Sequence, residues 1–311
     1  DRETLAGFIA QAHARGWVAV DTETTSLDEM RAELVGVSLC IEPGQAGYLP
    51  LGHKTGDGDL FGAQALAPDQ MSMAEALALL KPLLEDASVL KIGQNMKYDF
   101  KIFARHGIRV APFDDTMLMS YAMHAGLNSH GMDALSEKYL HYAPIPIKSL
   151  LGGGKAAITF DRVPIDEAVK YAAEDADVTL RLWQLFRPQL HRVHVTTVYE
   201  TLERPLVPVL ADMEMAGVRV DAATLSRMSN VFAQRMAGLE AEIHELAGQP
   251  FNVGSPKQLG EILFDKLGHA GGEKGKTGAY ATGADVLEDL ASEGSELAAR
   301  VLDWRQLVSN L

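Results

Sequence analysis

The segment that most constrains this chain is residues 17–22, WVAVDT, an apolar and β-branched run that ends abruptly in polar residues. A run of that length and composition reads as a buried strand, and a buried strand needs a sheet around it. Its end carries Asp21 and Glu23, spaced i and i+2, so in extended backbone both carboxylates leave the same face. Two like charges at the end of a buried strand are costly unless a cation lies between them. A solvated turn would also accommodate them, and the D-x-E spacing alone does not choose.

The surroundings of that strand form an α/β pattern. Residues 34–41 (LVGVSLCI) and 47–51 (GYLPL) read as the next two strands, separated by turn residues, so three strands follow one another as a meander. Helical spacing at 73–84 comes next, then a strand at 89–93 (VLKIG) that leads into Asn95, read as the N-cap of a helix to about His106. Helices are expected at 116–124, 132–139 and 166–190, the last ending near Pro188. Strands first and strand–helix alternation afterwards predict an α/β domain with a mixed sheet flanked by helices. After about residue 194 the pattern is helical, at 198–215, 222–247, from Ser255-Pro256, at 285–291 and from 297. A Gly-rich loop at 268–278 carries Lys274 and Lys276. We therefore expect one domain over 1–194 and a mainly α-helical region over 195–311. The chain begins without Met and stops inside a helical run, which reads as a piece of a longer protein.

Charge narrows the function classes. Lys+Arg number 28 against 42 Asp+Glu, a formal net charge of −14, which argues against coating nucleic acid through bulk charge, since phosphate neutralisation needs Lys and Arg. It leaves open a local basic groove, or an acidic site that handles phosphate through metal ions. The single cysteine, Cys40, rules out an internal disulfide and fits a reducing cytoplasm. The apolar stretch 34–41 is far too short to span a bilayer, the start has no signal-peptide pattern, and no membrane association is expected.

Two more carboxylates stand out. Asp99, in GQNMKYD, follows the 89–93 strand, where an acid in a first helical turn is favoured by the helix dipole alone. Asp175, in YAAEDADVT, lies four residues after Tyr171, so phenol and carboxylate share a helix face. A solvated face with Glu174 and Asp177 is the other reading. Together with Asp21 and Glu23 these make four carboxylates from three elements. An all-oxygen set suits hard ions such as Mg²⁺ or Mn²⁺, and no Cys pair or H-E-x-x-H competes. The run Gly152-Gly153-Gly154-Lys155 has no Ser or Thr after its Lys and no strand before it, so it is read as a loop and not a phosphate cradle.

The ordered set DTETTSLD (21–28), GQNMKYDF (93–100) and YAAEDADVT (171–179) resembles the three exonuclease motifs of bacterial DNA polymerase I, family A, in the tyrosine-bearing branch of the DEDD 3′→5′ exonucleases. The likeness runs through DDTMLMSY (114–121) and HGMDALSEKYL (130–140). It continues into segments at 202–221, 251–268 and 276–291 that are similar to the start of the same family's polymerase region, chiefly its thumb. The resemblance implies a ribonuclease H-like exonuclease fold followed by a partial thumb, with palm and fingers after Leu311 and a 5′ nuclease before Asp1.

It also implies roles. Asp21, Glu23 and Asp175 would hold one divalent cation, Asp21 and Asp99 a second, and Tyr171 would position the attacking water together with Glu23. The products would be deoxynucleoside 5′-monophosphates from DNA 3′ ends, in proofreading during replication and repair. Thr22, Leu27, Asn95 and Tyr98 match positions beside the substrate strand, Leu27 as an apolar wedge, although loop packing would also explain Leu27 and simple capping Asn95. Ile147 stands where the family often places a stacking aromatic. Lys274, Lys276 and Thr277 match the thumb tip that grips duplex DNA through its backbone. The expected partners are single-stranded or frayed DNA 3′ ends and primer-template duplex, the expected state a monomer in a bacterial cytoplasm. The competing readings are an RNA 3′-processing nuclease and a catalytically silent scaffold for a DNA-binding thumb.

Overall fold

The computed structural model describes residues 1–55, 65–127, 129–154, 157–275 and 278–309. Its Cα packing divides the chain into two compact units, Asp1–Val218 and Arg219–Leu311.

The first unit begins with α1 (Arg2–Arg15), capped by the Asp1 carboxylate on Thr4 N and stopped by Gly16 at φ 79°. Only Leu5 and Ala12 of this helix are buried, so its sequence has little apolar periodicity and the helix is not among those expected. The meander follows as β1 (Trp17–Thr24), β2 (Leu34–Glu42) and β3 (Gln45–Pro50). A two-stranded ribbon, β4 (Lys54–Thr55) with β5 (Ala65–Leu66), precedes α2 (Met73–Glu85), β6 (Leu90–Gly93) and α3 (Met96–Arg105). Then come β7 (Phe113–Asp115), α4 (Thr116–His124), α5 (Met132–Leu135), α6 (Ile147–Leu151) and α7 (Ile165–Arg192). The sheet order is β3-β2-β1-β6-β7, with β1 to β3 antiparallel and β1, β6 and β7 parallel. This is the expected mixed sheet, with the strand of residues 17–22 at its centre.

Strand alternation fills two cores. Val18, Val20, Val37 and Leu39 pack with Leu80, Phe100 and Phe103 from α2 and α3, whereas Ala19, Cys40 and Ile92 pack with Leu182, Trp183 and Phe186 of α7. Burying such side chains on both faces contributes roughly 1.5–3 kcal/mol each, and it makes β1 a rigid platform. Helix α7 does not end near Pro188: it runs through that residue to Arg192. The missing N–H of Pro188 affects only the last turns, and Gln184, whose carbonyl loses its partner, lies on the exposed side.

Residues Thr196–Ala216 continue this unit as helix with a π turn at Tyr199–Glu203. Tyr199 ties them down. Its hydroxyl donates to Asp114 Oδ1 (3.0 Å) and accepts from Asp115 N (2.9 Å), while Arg204 and the Trp183 indole also donate to the buried Asp114 carboxylate.

The second unit is helical. Ala222–Ala247 is capped by Asp221, and Pro256–Gly260 by Ser255, the latter as the sequence predicts. With Ala284–Ser292 and Glu296–Val308 they enclose a core that includes Ile243, Leu259, Leu263, Leu287 and Val301. No helix among the described residues is long and apolar enough to cross a membrane.

Candidate metal centre

The odd-numbered side chains of β1 face α7. Ala19 belongs to the α7 core, so period-2 alternation sends Asp21 and Glu23 to the same side. Helix α7 meets them with Asp175, which shares a helix face with Val178 and Leu182 of that core. Carboxylate oxygens of Asp21, Glu23 and Asp175 all lie within 4.8 Å of one another. Glu23 and Asp175 are buried and Asp21 partly so. Glu23 Oε1 and Asp175 Oδ1 have no hydrogen-bond partner. A buried carboxylate oxygen left unpaired carries its full desolvation cost, and three converging carboxylates with free lone pairs are a fit for a hard divalent cation. The three residues could hold one.

The electrostatics agree. Burial pushes the Asp21 carboxyl up to about 7, with the Thr22 N–H opposing. Burial also raises Glu23 well above the usual carboxylate range, and Asp21, Asp175 and Asp99 add to it. Asp175 is raised by burial and then by Asp21. Without a cation, burial and mutual repulsion make these carboxyls hold their protons more tightly than they would in water.

Asp99 arrives from the other face. The even-numbered Thr22 donates its N–H to Asp99 Oδ1 at 3.0 Å and its hydroxyl to the same oxygen. Burial and the nearby Asp21 raise the Asp99 carboxyl, and Thr22 partly counters them. Asp99 thus adjoins the three-carboxylate cluster without being one of its members. Its helix starts in a way the sequence did not suggest. Asn95 occupies the N-cap position at φ 61°, but its side chain caps nothing. Asp115, at the end of β7, accepts from Asn95 N (3.1 Å) and Met96 N (2.9 Å), and also from Met117 N and Leu118 N at the start of α4. One buried carboxylate caps two helices; burial raises it to about 6, with those four bonds opposing.

Tyr171, one turn before Asp175 on α7, shares its helix face and packs against Phe160 with ring centroids 5.9 Å apart. Burial, and then Asp175 and Glu23, push its phenol above the usual range. Tyr48 and His53 went unnoticed in the sequence. The Tyr48 hydroxyl bonds His53 Nε2 at 2.8 Å, and His53 Nδ1 lies 2.9 Å from Val163 O. Tyr48 sits against Gly36, where a Cβ would meet its hydroxyl at 2.2 Å, and Gly36 pairs with Glu23 across the sheet. The one signal in the sequence is that glycine in a mainly apolar strand.

A cleft of about 460 Å³ brings together Asp21, Thr22, Glu23, Leu27, Asn95, Tyr98, Asp99, Tyr171 and Asp175, and Ile147 and Phe160 also line it. Tyr98 is occupied by Thr24 Oγ1 and Ser26 O. Lys274 belongs to the second unit, its ammonium 4.4 Å from the centre of the Tyr280 ring. Lys276 and Thr277 lie outside the described residues.

Comparison with known proteins places both units. The family described as 3′-5′ exonuclease matches residues 1–191, and DNA polymerase family A matches residues 222–310. DNA polymerase I of Rhizobium leguminosarum is 56% identical over 99% of this chain, and that of Pseudomonas aeruginosa 42% identical over 93%. The chain spans 31% of the length of each. The POL domain of Pol1 from M. smegmatis, solved with DNA primer-template and dNTP, shares the fold, with a TM-score of 0.75 and 23% identity over 98% of this chain and 47% of that one.

Proposed function

Because the chain belongs to bacterial DNA polymerase I, with its 3′-5′ exonuclease domain and the beginning of the family A polymerase domain, we propose that it removes nucleotides from DNA 3′ ends as a proofreading nuclease. The observation that carries this reading is the group of Asp21, Glu23 and Asp175, oxygens within 4.8 Å and two of them unpartnered, at the floor of an open cleft.

Asp21, Glu23 and Asp175 would hold one divalent cation and Asp21 with Asp99 a second, Mg²⁺ or Mn²⁺. Bound there, such ions neutralise phosphate charge and lower the pKa of the attacking water. The residues do the rest. Tyr171 and Glu23 orient that water; a phenol, whose ordinary pKa is about 10, acts here as a hydrogen-bond donor and not as a base at neutral pH. Thr22 holds one Asp99 oxygen in place, leaving the other for ligation. Leu27, Asn95 and Tyr98 line the mouth where the terminal nucleotide would enter.

The nuclease is assigned to residues 1–194. Residues 195–311 are read as the start of the stalk and thumb, with Lys274, Lys276 and Thr277 as backbone contacts to primer-template duplex. DNA synthesis by the longer relatives is outside what these 311 residues are proposed to do.

The test is direct. Incubation with a 3′-mismatched primer-template and Mg²⁺ should shorten the primer stepwise, and EDTA should abolish the ladder. Full-length primer after prolonged incubation would overturn the reading. Equal or faster trimming of an RNA oligomer of the same sequence would redirect it to RNA.

A further inference from the structure

Helix α3 does more than present Asp99. The loop between β1 and β2 is closed at its base, where Thr25 N donates to Glu33 O (3.0 Å) and Glu33 N to Thr25 Oγ1 (2.9 Å). Asp28 organises its turn by accepting from Ala32 N at its carbonyl (2.7 Å) and from Met30 N at its carboxylate (3.1 Å). At the rim of the cleft the loop projects Leu27, 93% exposed. A lone exposed leucine is ordinary; what lies under this one is not.

Three side chains of α3, at spacing i, i+3 and i+7, lie on one helix face and reach the loop. The Tyr98 hydroxyl donates to Ser26 O, the Lys101 ammonium pairs with the Glu29 carboxylate, and Arg105 donates to the carbonyls of Glu29 (2.9 Å) and Ala32. Lys101 is 1% exposed and also pairs with Glu214 of the Arg204–Ala216 helix. An ammonium is costly to bury without partners, so packing alone does not explain a lysine here. These contacts fix the loop from Ser26 to Ala32 and leave its apolar tip free.

We propose that Lys101 is a positioning residue for the substrate end: through Glu29 it stiffens the loop so that Leu27 stands as a rigid wedge against the terminal base pair of a DNA 3′ end, setting how well paired ends are attacked relative to single strands. This rests on the nuclease reading above. Stiffness matters because a wedge on a mobile loop would yield instead of parting the pair.

The experiment compares initial rates on a single-stranded oligomer and on a blunt duplex with the same 3′ sequence, in Mg²⁺. Glu29→Gln and Lys101→Met should each lower the duplex-to-single-strand ratio by about fivefold, with single-strand rates within about twofold of the parent, and Leu27→Ala should lower the ratio at least as far. The double variant Leu27→Ala/Glu29→Gln should fall no further than Leu27→Ala. Glu214→Gln, which breaks only the other arm, should leave the ratio unchanged. The proposal is overturned if Glu29→Gln leaves the ratio intact, slows both substrates equally or multiplies with Leu27→Ala, or if Glu214→Gln lowers the ratio as much. A parent chain that degrades neither substrate would instead sink the nuclease reading, and this proposal with it.

Discussion

Thr22 gives Asp99 two hydrogen bonds, one from its backbone N–H at 3.0 Å and one from its hydroxyl, both to Oδ1. The central strand and helix α3 are thereby joined at the point where the acidic residues gather. A hydrogen bond to a charged group is worth about 1.5–3 kcal/mol. Thr22→Val keeps the shape and the N–H but deletes the hydroxyl, so Asp99 should lose orientation more than the fold loses stability. We expect a roughly tenfold fall in exonuclease rate at limiting Mn²⁺ that shrinks as the metal is raised. Initial rates across a Mn²⁺ titration decide it; a fall independent of metal would contradict this role.

Asp175→Ala and Asp99→Ala should each reduce nucleotide release by a factor on the order of 10², the usual scale for electrostatic catalytic groups. The two should differ in metal binding. Asp175 belongs to the three-carboxylate cluster and Asp99 does not, so calorimetric titration with Mn²⁺ should show the tighter event lost in Asp175→Ala and kept in Asp99→Ala. Undiminished digestion by both variants would remove the site from the reaction.

Tyr171→Phe should slow the reaction by about tenfold through loss of water orientation while leaving Mn²⁺ affinity within error. Because burial and Asp175 raise the phenol above its usual range, it does not titrate near neutrality. The alkaline limb of the pH–rate profile should therefore coincide with that of the parent. A limb that vanishes with Tyr171 would mean the phenol acts as a base.

The acidic cluster also predicts how the metal-free fold responds to pH. Asp21 has its folded-state pKa raised from 3.8 to about 7, and Glu23, Asp99 and Asp175 are raised as well. In this case the folded state holds protons that the unfolded chain releases. Stability is full below the ordinary carboxylate range and is lost as pH rises through the raised values. In EDTA, Tm should fall as pH is raised from 5 to 8. Mn²⁺ should restore it at pH 8, and Glu23→Gln should flatten the slope. A Tm that is level or rising over this interval in EDTA would show that the carboxylates do not repel one another as described.

The parts of this molecule that could be read in advance are those whose physics is local. The strand of residues 17–22, the meander after it and the same-face spacing of Asp21 and Glu23 follow from period-2 alternation. The phenol of Tyr171 one turn from Asp175 follows from the helical period, and the Ser255-Pro256 start from capping chemistry. Helix α1 escaped because burying only Leu5 and Ala12 leaves almost no apolar signature, and β7 because three residues, two of them acidic, do not look like a strand.

What only the tertiary structure decided is which partner each polar group found. Asn95 has the residue type of an N-cap, yet the cap of α3 is Asp115, twenty positions along the chain, carried there by β7. Lys101, on the helix after Asn95, is buried between Glu29 and Glu214, partners 72 and 113 positions away. Tyr48 reads as a strand aromatic and stands beside Glu23 because Gly36 leaves room for it. A sequence determines which residues share a face, since that depends on a repeat of two or 3.6 residues. Which faces meet depends on how the sheet and its helices close around a common core, and the site lies where Asp21 and Glu23 on β1, Asp99 on α3 and Asp175 on α7 are brought to one place.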